Sequence, residues 1–310
     1  MTGVDPSKIK LRGIVTPLVT PLRHAAALDV ESLSRLIERV VEGGVHGLFV
    51  LGSTGESPSL SIGLRCAVIT TVRQLVEDRV PILVNVSDTA FAHCLRLAEE
   101  AALAGASAVA LSPPCYFPLD QEQLFRYTKR FCENSPLPVF IYNVPQYAHN
   151  AFTPETVGEL SYLPNVIGLK NSNGSLEYLE AVRDRVAHRD DFSLFVGNEE
   201  ILLSALAAGA DGGVCGGANM FPKLFVQLYE AATNGCHEEA EPMQELVARI
   251  AKAVYTVGPP EGSYLRGLKH ALSMLGVIEN VLAEPLQNFN PEERAELENR
   301  FGHLMEQWQS

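Results

Sequence analysis

Eight short apolar runs, separated by segments with helical periodicity, constrain the fold of this chain more than any other feature. The runs are rich in Val, Ile, Leu and Phe and show little alternation with polar residues. Near-continuous runs of this kind are typical of strands in a parallel sheet that is covered on both faces. They begin at Gly13, Val45, Pro81, Ala106, Pro138, Asn165, Ser193 and Ala210.

The segments between the runs carry apolar residues at helical spacing. After the first run, VESLSRLIERVVEGG places Leu33, Leu36, Ile37, Val40 and Val41 on one stripe and ends in glycines. A stripe of this width buries one face of a helix, and glycine commonly ends a helix. Strands therefore alternate with helices along most of the chain.

The repeated strand–helix order predicts an α/β fold, a (β/α)8 TIM barrel over residues 1–233. A doubly wound sheet is the alternative, but no G-x-G-x-x-G fingerprint follows the first run. After about Asn234 the strand patterns stop and three helical patterns follow, so residues 234–310 are predicted to be a C-terminal helical region packed on the barrel or on a partner subunit.

Composition and charge exclude several classes of partner. The formal net charge is -13, which disfavours nucleic acid and anionic membranes as partners. No apolar run approaches the ~20 residues that span a bilayer, and the N-terminus lacks the apolar core of a signal peptide. We therefore expect a cytoplasmic protein. The scattered cysteines and histidines form no metal-binding motif, so no metal site is predicted.

A lysine, Lys170, ends the sixth apolar run. Active sites of (β/α)8 barrels form at the carboxyl ends of the strands, which makes this residue a catalytic candidate. A neutral lysine amine can attack a ketone and form a Schiff base, but burial must first lower its pKa from ~10.4 to about 7 or 8. The alternative is a structural lysine whose stem packs while its ammonium group reaches solvent.

Three further strand ends carry polar candidates. The turn LGSTGES after the second run can gather backbone N–H groups with the hydroxyls of Ser53 and Thr54 around a carboxylate, or can be an ordinary tight turn. Tyr142 ends the fifth run, where a phenol can shuttle protons or simply be a buried tyrosine. Tyr116, in the proline-rich loop after the fourth run, can point into a site or pack.

Taken in order, the strand-end motifs resemble those of the dihydrodipicolinate synthase and N-acetylneuraminate lyase family. The resemblance runs through the whole predicted barrel and into the helical tail. The matching motifs are TPLVTP, LGSTGES, SPPCYFPLDQE, YNVP, IGLKNSNG, VGNE and GADGGVCGGAN.

The resemblance implies a role for each matched residue. Members of the family join a lysine to pyruvate or another 2-oxo acid as a Schiff base, which makes Lys170 the nucleophile and Tyr142 the proton-transfer residue. Ser53 would link Tyr142 to Tyr116 of a neighbouring subunit in a proton relay. The substrate carboxylate would be bound by the turn that contains Ser53, Thr54 and Gly55.

The resemblance also implies two pocket residues, and the chain departs from the synthase pattern at one position. Gly197 and Val214 would line the pyruvate pocket. The synthase has an arginine shortly after Y-N-x-P that holds a second carboxylate, and Tyr147 stands there in this chain. The covalent Schiff base requires no metal or other cofactor.

The leading expectation is a Schiff-base lyase, an aldolase for a 2-keto-3-deoxy sugar acid or a related hydroxylated 2-oxo acid. One alternative is dihydrodipicolinate synthase, which condenses pyruvate with aspartate semialdehyde. An alternative of another class is a non-catalytic 2-oxo acid binder. If Tyr116 completes a neighbour's relay, the protein is a homo-oligomer, either a dimer or a dimer of dimers (a homotetramer).

Overall fold

A closed barrel of eight parallel strands forms the centre of the computed structural model, which describes residues 10–24 and 27–309. Each predicted apolar run contributes one strand, and the first strand closes the barrel by pairing with both the second and the eighth. The (β/α)8 prediction is therefore confirmed over the doubly wound alternative. The strands are β1 (Gly13–Pro17), β2 (Gly47–Val50), β3 (Ile82–Asn85), β4 (Ala108–Leu111), β5 (Val139–Asn143), β6 (Val166–Asn171), β7 (Ser193–Val196) and β8 (Gly212–Val214).

Helices follow the strands and cover the outside of the barrel. Between β1 and the first helix, a small antiparallel pair joins Leu22–His24 to Ala27–Leu28. The helices are α1 (Val30–Glu42), α2 (Ile62–Val76), α3 (Phe91–Ala104), α4 (Gln121–Asn134), α5 (Pro145–Ala148), α6 (Pro154–Leu160), α7 (Leu176–Arg185), α8 (Leu202–Ala207), α9 (Pro222–Thr233), α10 (His237–Tyr255), α11 (Ser263–Met274) and α12 (Pro291–Gln309).

Helix α1 shows how local sequence places these helices. Asp29 caps its first turn by accepting a hydrogen bond from the backbone N–H of Ser32, which satisfies one of the otherwise free donors at the helix start. Four of the five residues of the predicted stripe are buried against the barrel, and the fifth, Val41, lies at the edge of the contact. The periodicity therefore predicted both the helix and its buried face.

Two apolar cores result from this arrangement. The larger core fills the space between the strands and the helices. The smaller one fills the barrel interior and includes Val15, Phe49, Phe140, Ile167 and Phe195. Side chains alternate between the two cores along each strand because successive residues of a strand point to opposite faces.

The C-terminal residues are helical, as their patterns indicate. Helix α10 packs against α9, and α11 and α12 pack against α10. The side-chain amide of Gln244 on α10 donates to the backbone carbonyl of Glu199 (3.0 Å) and accepts from the backbone N–H of Leu203 (2.8 Å), which ties α10 to the segment after β7. Along the described residues, no helix is both long and apolar enough to cross a lipid bilayer.

Candidate active site

Lys170 lies near the carboxyl end of β6 with its side chain inside the barrel. The strand continues for one residue beyond it, to Asn171. Lys170 is only 6% exposed, and its Nζ lies 4.2 Å from the ring centroid of Phe49 and 4.2 Å from that of Tyr142. The structure thus places the amine among aromatic rings and not in solvent.

Burial lowers the pKa of Lys170 to about 7. The cause is desolvation, which penalises the charged ammonium form, while the neighbouring Cys215 thiol acts weakly in the opposite direction. A large fraction of the amine is therefore neutral, and nucleophilic, at neutral pH.

Tyr142 stands directly beside Lys170, because the two residues are register partners on β5 and β6. Its hydroxyl lies 3.2 Å from Oγ of Ser53. Burial raises the pKa of Tyr142, and hydrogen bonds from the side chains of Ser53 and Ser172 oppose that rise. The phenol is therefore protonated at neutral pH, in contact with a second hydroxyl that can pass a proton on.

The turn after β2 brings Ser53 and Thr54 to the same place. Leu51 and Glu56, on either side of the turn, have left-handed backbone conformations with φ of 61° and 54°. Non-glycine residues rarely adopt this conformation, and such strain is concentrated at functional sites.

Gly55, in the same turn, is turned toward the body of the protein. Its N–H donates to the carbonyl of Gly52 (3.0 Å), and its own carbonyl accepts from Oγ1 of Thr20 (2.8 Å). A Cβ at this position would lie 3.1 Å from the carbonyl oxygen of Leu18. The need for glycine here is therefore explained by packing, and its role in substrate binding stays a prediction.

A cavity of about 190 Å³ lies above Lys170 at the barrel mouth. It is lined by seven of the residues named from the sequence. They are Ser53, Thr54, Tyr142, Tyr147, Lys170, Gly197 and Val214. At Gly197 a Cβ would come within 2.1 Å of the Ser172 hydroxyl oxygen, so any side chain there would displace Ser172 and narrow the cavity.

Tyr116 lies outside this cavity. Its side chain is 77% exposed in the loop after β4, and among the aromatic rings of the described residues its ring packs only against that of Phe117, with 5.0 Å between centroids. Its predicted role depends on a neighbouring subunit, so that role stays a prediction. Tyr147, at the position of the synthase's arginine, is half exposed at the rim.

Among the lining residues that were not identified from the sequence, Tyr255, Tyr264 and Glu199 form side-chain hydrogen bonds at the cavity. Tyr264 of α11 places its hydroxyl 3.1 Å from Oγ1 of Thr54. Tyr255 of α10 donates to Oε1 of Glu199 (2.9 Å), whose Oε2 accepts from the N–H of Gly217 (2.8 Å). Burial raises the pKa of Glu199 to about 7.

A sequence signal existed for only one of the three. Glu199 follows the seventh apolar run, so the strand-end rule that selected Lys170 applies to it as well. Tyr255 and Tyr264 come from the helical tail, and nothing in their local pattern distinguishes them from ordinary packing residues.

Comparison with known proteins agrees with this fold. Residues 10–303 match the model of the dihydrodipicolinate synthetase family. The chain is 34% identical to 4-hydroxy-tetrahydrodipicolinate synthase of Thermus thermophilus over 299 residues, 96% of each chain. It superimposes on the dihydrodipicolinate synthase of Bacteroides thetaiotaomicron with a TM-score of 0.92 and 44% identity, over 96% of this chain and 99% of that one.

A further solved structure, the E. coli K12 prophage protein YagE in complex with pyruvate, gives a TM-score of 0.90 and 26% identity over 96% of this chain and 99% of that one. The closed (β/α)8 barrel and the buried lysine at its mouth place the protein in the class of (β/α)8-barrel enzymes. The chain belongs to the dihydrodipicolinate synthetase family and is a lyase of the aldolase type.

Proposed function

We propose that the protein is a class I lyase that forms a Schiff base between Lys170 and pyruvate or a related 2-oxo acid. The observation that carries this proposal is the buried amine, whose pKa of about 7 leaves it nucleophilic, in contact with the Tyr142 ring. Pyruvate bound to the relative YagE supports the same class of substrate.

The proposed reaction uses the groups around the cavity in sequence. The Lys170 amine attacks the ketone carbon, and the adduct loses water to give an iminium ion. The substrate's C4 hydroxyl then loses its proton, the C3–C4 bond breaks, and its electron pair moves into the iminium to give an enamine and an aldehyde. Protonation of the enamine at C3 and hydrolysis of the imine release pyruvate and regenerate the amine.

Tyr142 and the turn after β2 have distinct parts in this scheme. The Tyr142 phenol carries protons to and from the reacting oxygen and carbon, with Ser53 as the next hydroxyl in the relay. The hydroxyls of Ser53 and Thr54 hold the carboxylate of the 2-oxo acid. No metal or organic cofactor enters the proposed reaction, because the iminium itself accepts the electron pair.

For the distal part of the substrate we propose a hydroxylated chain, as in a 2-keto-3-deoxy sugar acid. Within the described part of the chain, the cavity lining holds one basic side chain, Lys170, and two carboxyl groups, Glu199 and Glu200. Hydroxyl groups can donate to carboxyl oxygens, whereas a second substrate carboxylate would be repelled by each of these groups when it is ionised.

A second candidate is 4-hydroxy-tetrahydrodipicolinate synthase, which the names of the relatives favour. This activity keeps the lysine chemistry and replaces cleavage by condensation of pyruvate with aspartate semialdehyde. Tyr147 offers a hydroxyl and no positive charge at the position where the synthase holds its second carboxylate. The two candidates therefore differ in what the cavity rim must bind.

Reductive trapping tests the shared chemistry. The protein is incubated with pyruvate and a hydride reductant, and the adduct is located by mass spectrometry after digestion. We expect one adduct, on Lys170, and none in Lys170→Ala; trapping that is absent, or located on other lysines, would refute the mechanism. The variant Lys129→Ala is the control, because Lys129 lies on the outer helix α4.

A substrate screen separates the two candidates. Pyruvate release is measured over 2-keto-3-deoxy sugar acids of varied length and stereochemistry, and condensation is measured with aspartate semialdehyde. Turnover of a hydroxylated 2-oxo acid without condensation supports the aldolase, and efficient condensation establishes the synthase instead. Tight pyruvate binding without any turnover would favour a non-catalytic binder.

A further inference from the structure

Glu56 and Lys269 form an ion pair that is sealed from solvent. Their side chains are 1% and 0% exposed. Lys269 Nζ contacts Glu56 Oε1 and also donates to the backbone carbonyl of Val281 (2.6 Å), and Glu56 Oε2 accepts from the N–H of Ala283 (2.8 Å). Each member of the pair is therefore also tied to the backbone of the tail, and neither residue lines the cavity above Lys170.

The pair joins two distant parts of the chain at the candidate site. Glu56 immediately follows the turn that contains Ser53 and Thr54, whereas Lys269 lies on α11 in the helical tail. A second contact joins the same two elements, since the hydroxyl of Tyr264, also on α11, lies 3.1 Å from Oγ1 of Thr54. Helix α11 thus contacts the turn on both sides of Gly55.

The turn has a conformation that needs such support. Glu56 has a φ of 54°, a left-handed value that a side-chain-bearing residue keeps only where the surroundings determine it. A buried ion pair of this kind is poor evidence for a stability function, because apolar residues of the same volume often stabilise as well, and its better-attested use is to specify one arrangement.

We propose that Glu56 and Lys269 are positioning residues that hold the turn after β2 in the geometry that binds the substrate carboxylate, so that the helical tail is part of the binding site. This inference rests on the proposed function in one respect, the assignment of the turn as the carboxylate site. The pair acts through Ser53 and Thr54 and does not touch the substrate itself.

The double variant Glu56→Gln/Lys269→Met separates positioning from stability, because it removes both charges while nearly keeping side-chain volume. We expect the pyruvate concentration for half-maximal trapping on Lys170 to rise about tenfold. The maximal trapping rate changes by less than about threefold, because the amine itself is untouched. A folded double variant that needs the same pyruvate concentration as the wild type for half-maximal trapping would overturn the proposal.

A matched control lies on the same helix. Arg266 of α11 pairs with Glu293 of α12 (2.6 Å), and both side chains are largely buried at 13% and 16% exposure. This pair ties α11 to another tail helix and not to the turn. In Arg266→Met/Glu293→Gln the pyruvate concentration for half-maximal trapping is therefore expected to stay within about twofold of the wild-type value. An equal rise of this concentration in both double variants would show a general effect of tail stability and would refute the positioning role.

Hydrogen exchange tests the pair without any substrate. Amides of residues 51–57 are expected to exchange faster in Glu56→Gln/Lys269→Met than in the wild type and the control, and unchanged exchange would overturn the proposal. If the wild type traps no pyruvate, the proposed function fails, and exchange alone decides whether the pair holds the turn. Glu56→Gln, which removes one charge and keeps the side-chain length, is the second variant, with the same expected direction in both measurements.

Discussion

At the scale of single residues, the protonation of Lys170 is set by competing effects on one amine. The faces of Phe49 and Tyr142 attract a cation, which contributes ~0.5–2 kcal/mol per ring in favour of the charged form. Desolvation favours the neutral form and is the larger effect, because the pKa falls from 10.5 to about 7. The corresponding difference is about 5 kcal/mol, so the barrel interior disfavours the charged form of this amine by that amount.

The first prediction concerns the pH dependence of Schiff-base formation. Only the neutral amine attacks the ketone, so the trapping rate with pyruvate is expected to rise through pH 7 and to level off above about pH 8. Initial rates of adduct formation, measured by mass spectrometry across buffers from pH 5.5 to 10, check this. A rate that keeps rising toward pH 10 would instead indicate an amine with an ordinary pKa.

The second prediction concerns stability. Between about pH 7 and 10.5 the unfolded state binds a proton at Lys170 that the folded state does not bind, so the free energy of unfolding rises with pH across this window. Below pH 7 both states are protonated and the full penalty is present. Lys170→Met removes the penalty, so we expect it to be more stable by up to about 5 kcal/mol at pH 6, by a margin that shrinks toward pH 10, as measured by urea unfolding.

The third prediction separates the roles of Tyr142 and Lys170. Tyr142→Phe keeps the ring beside the amine and removes the phenol, so pyruvate trapping is retained while turnover falls by about 10²- to 10⁴-fold. Tyr178→Phe is the control. Its hydroxyl is also partly buried and donates to the carbonyl of Phe152 (2.9 Å), outside the cavity, and its turnover is expected to stay near that of the wild type. Equal losses in the two variants would contradict the proton-transfer role.

At the scale of secondary-structure elements, the pairing of β5 with β6 positions the site. The register that sets Tyr142 beside Lys170 also sets Asn143 beside Asn171. Their side chains are hydrogen-bonded (2.9 Å), and Asn143 Oδ1 also accepts from the N–H of Phe152 (3.1 Å). Because both amides are buried, this bond fixes the ends of the two strands one residue beyond Tyr142 and Lys170.

The fourth prediction follows from that amide pair. Asn171→Leu leaves the Asn143 Nδ2 group buried without this partner, so the free energy of unfolding is expected to fall by about 1–3 kcal/mol. Asn134→Leu, at the exposed end of α4, is expected to change it by no more than about 0.5 kcal/mol. Denaturant unfolding of both variants gives the comparison, and a neutral Asn171→Leu would mean that the amide pair does not hold the strands.

At the scale of the whole molecule, the helical tail belongs to the site. Tyr255 and Tyr264 line the cavity from α10 and α11, and one of them contacts the turn after β2. Exposed aromatic side chains lie at Tyr116 and Phe117 in the loop after β4 and at Tyr147 in the cavity lining. Large exposed aromatic residues of this kind are typical of surfaces that contact another protein chain.

The fifth prediction tests whether a second copy completes the site. Lys170→Ala and Tyr116→Ala are each expected to be inactive as pure samples. Mixed and allowed to exchange subunits, they form hybrid dimers with one complete site, so activity is expected to return to on the order of one quarter of the wild type. Sedimentation gives the assembly state of each sample, and a fully active wild-type monomer would contradict a shared site.

The sequence alone determined the barrel and the positions of its candidate reactive residues. Periodicity indicates which face of each element is buried, and chain order indicates which residues end the strands, so the sequence is sufficient to place Lys170 and Tyr142 at the barrel mouth. The order of the strand-end motifs along the chain also identified the family.

Only the tertiary structure decided which distant residues meet there. Three contacts join segments that are far apart in the sequence, and no sequence pattern predicts them. They are the ion pair of Glu56 with Lys269 and the hydrogen bonds of Tyr264 with Thr54 and of Tyr255 with Glu199. The tertiary structure also sets the pKa of Lys170, because desolvation depends on all the groups that surround the amine and not on its neighbours in sequence. Local sequence patterns determine the helices and strands. The packing of the strand ends and the helical tail around one cavity determines the chemical environment of the site.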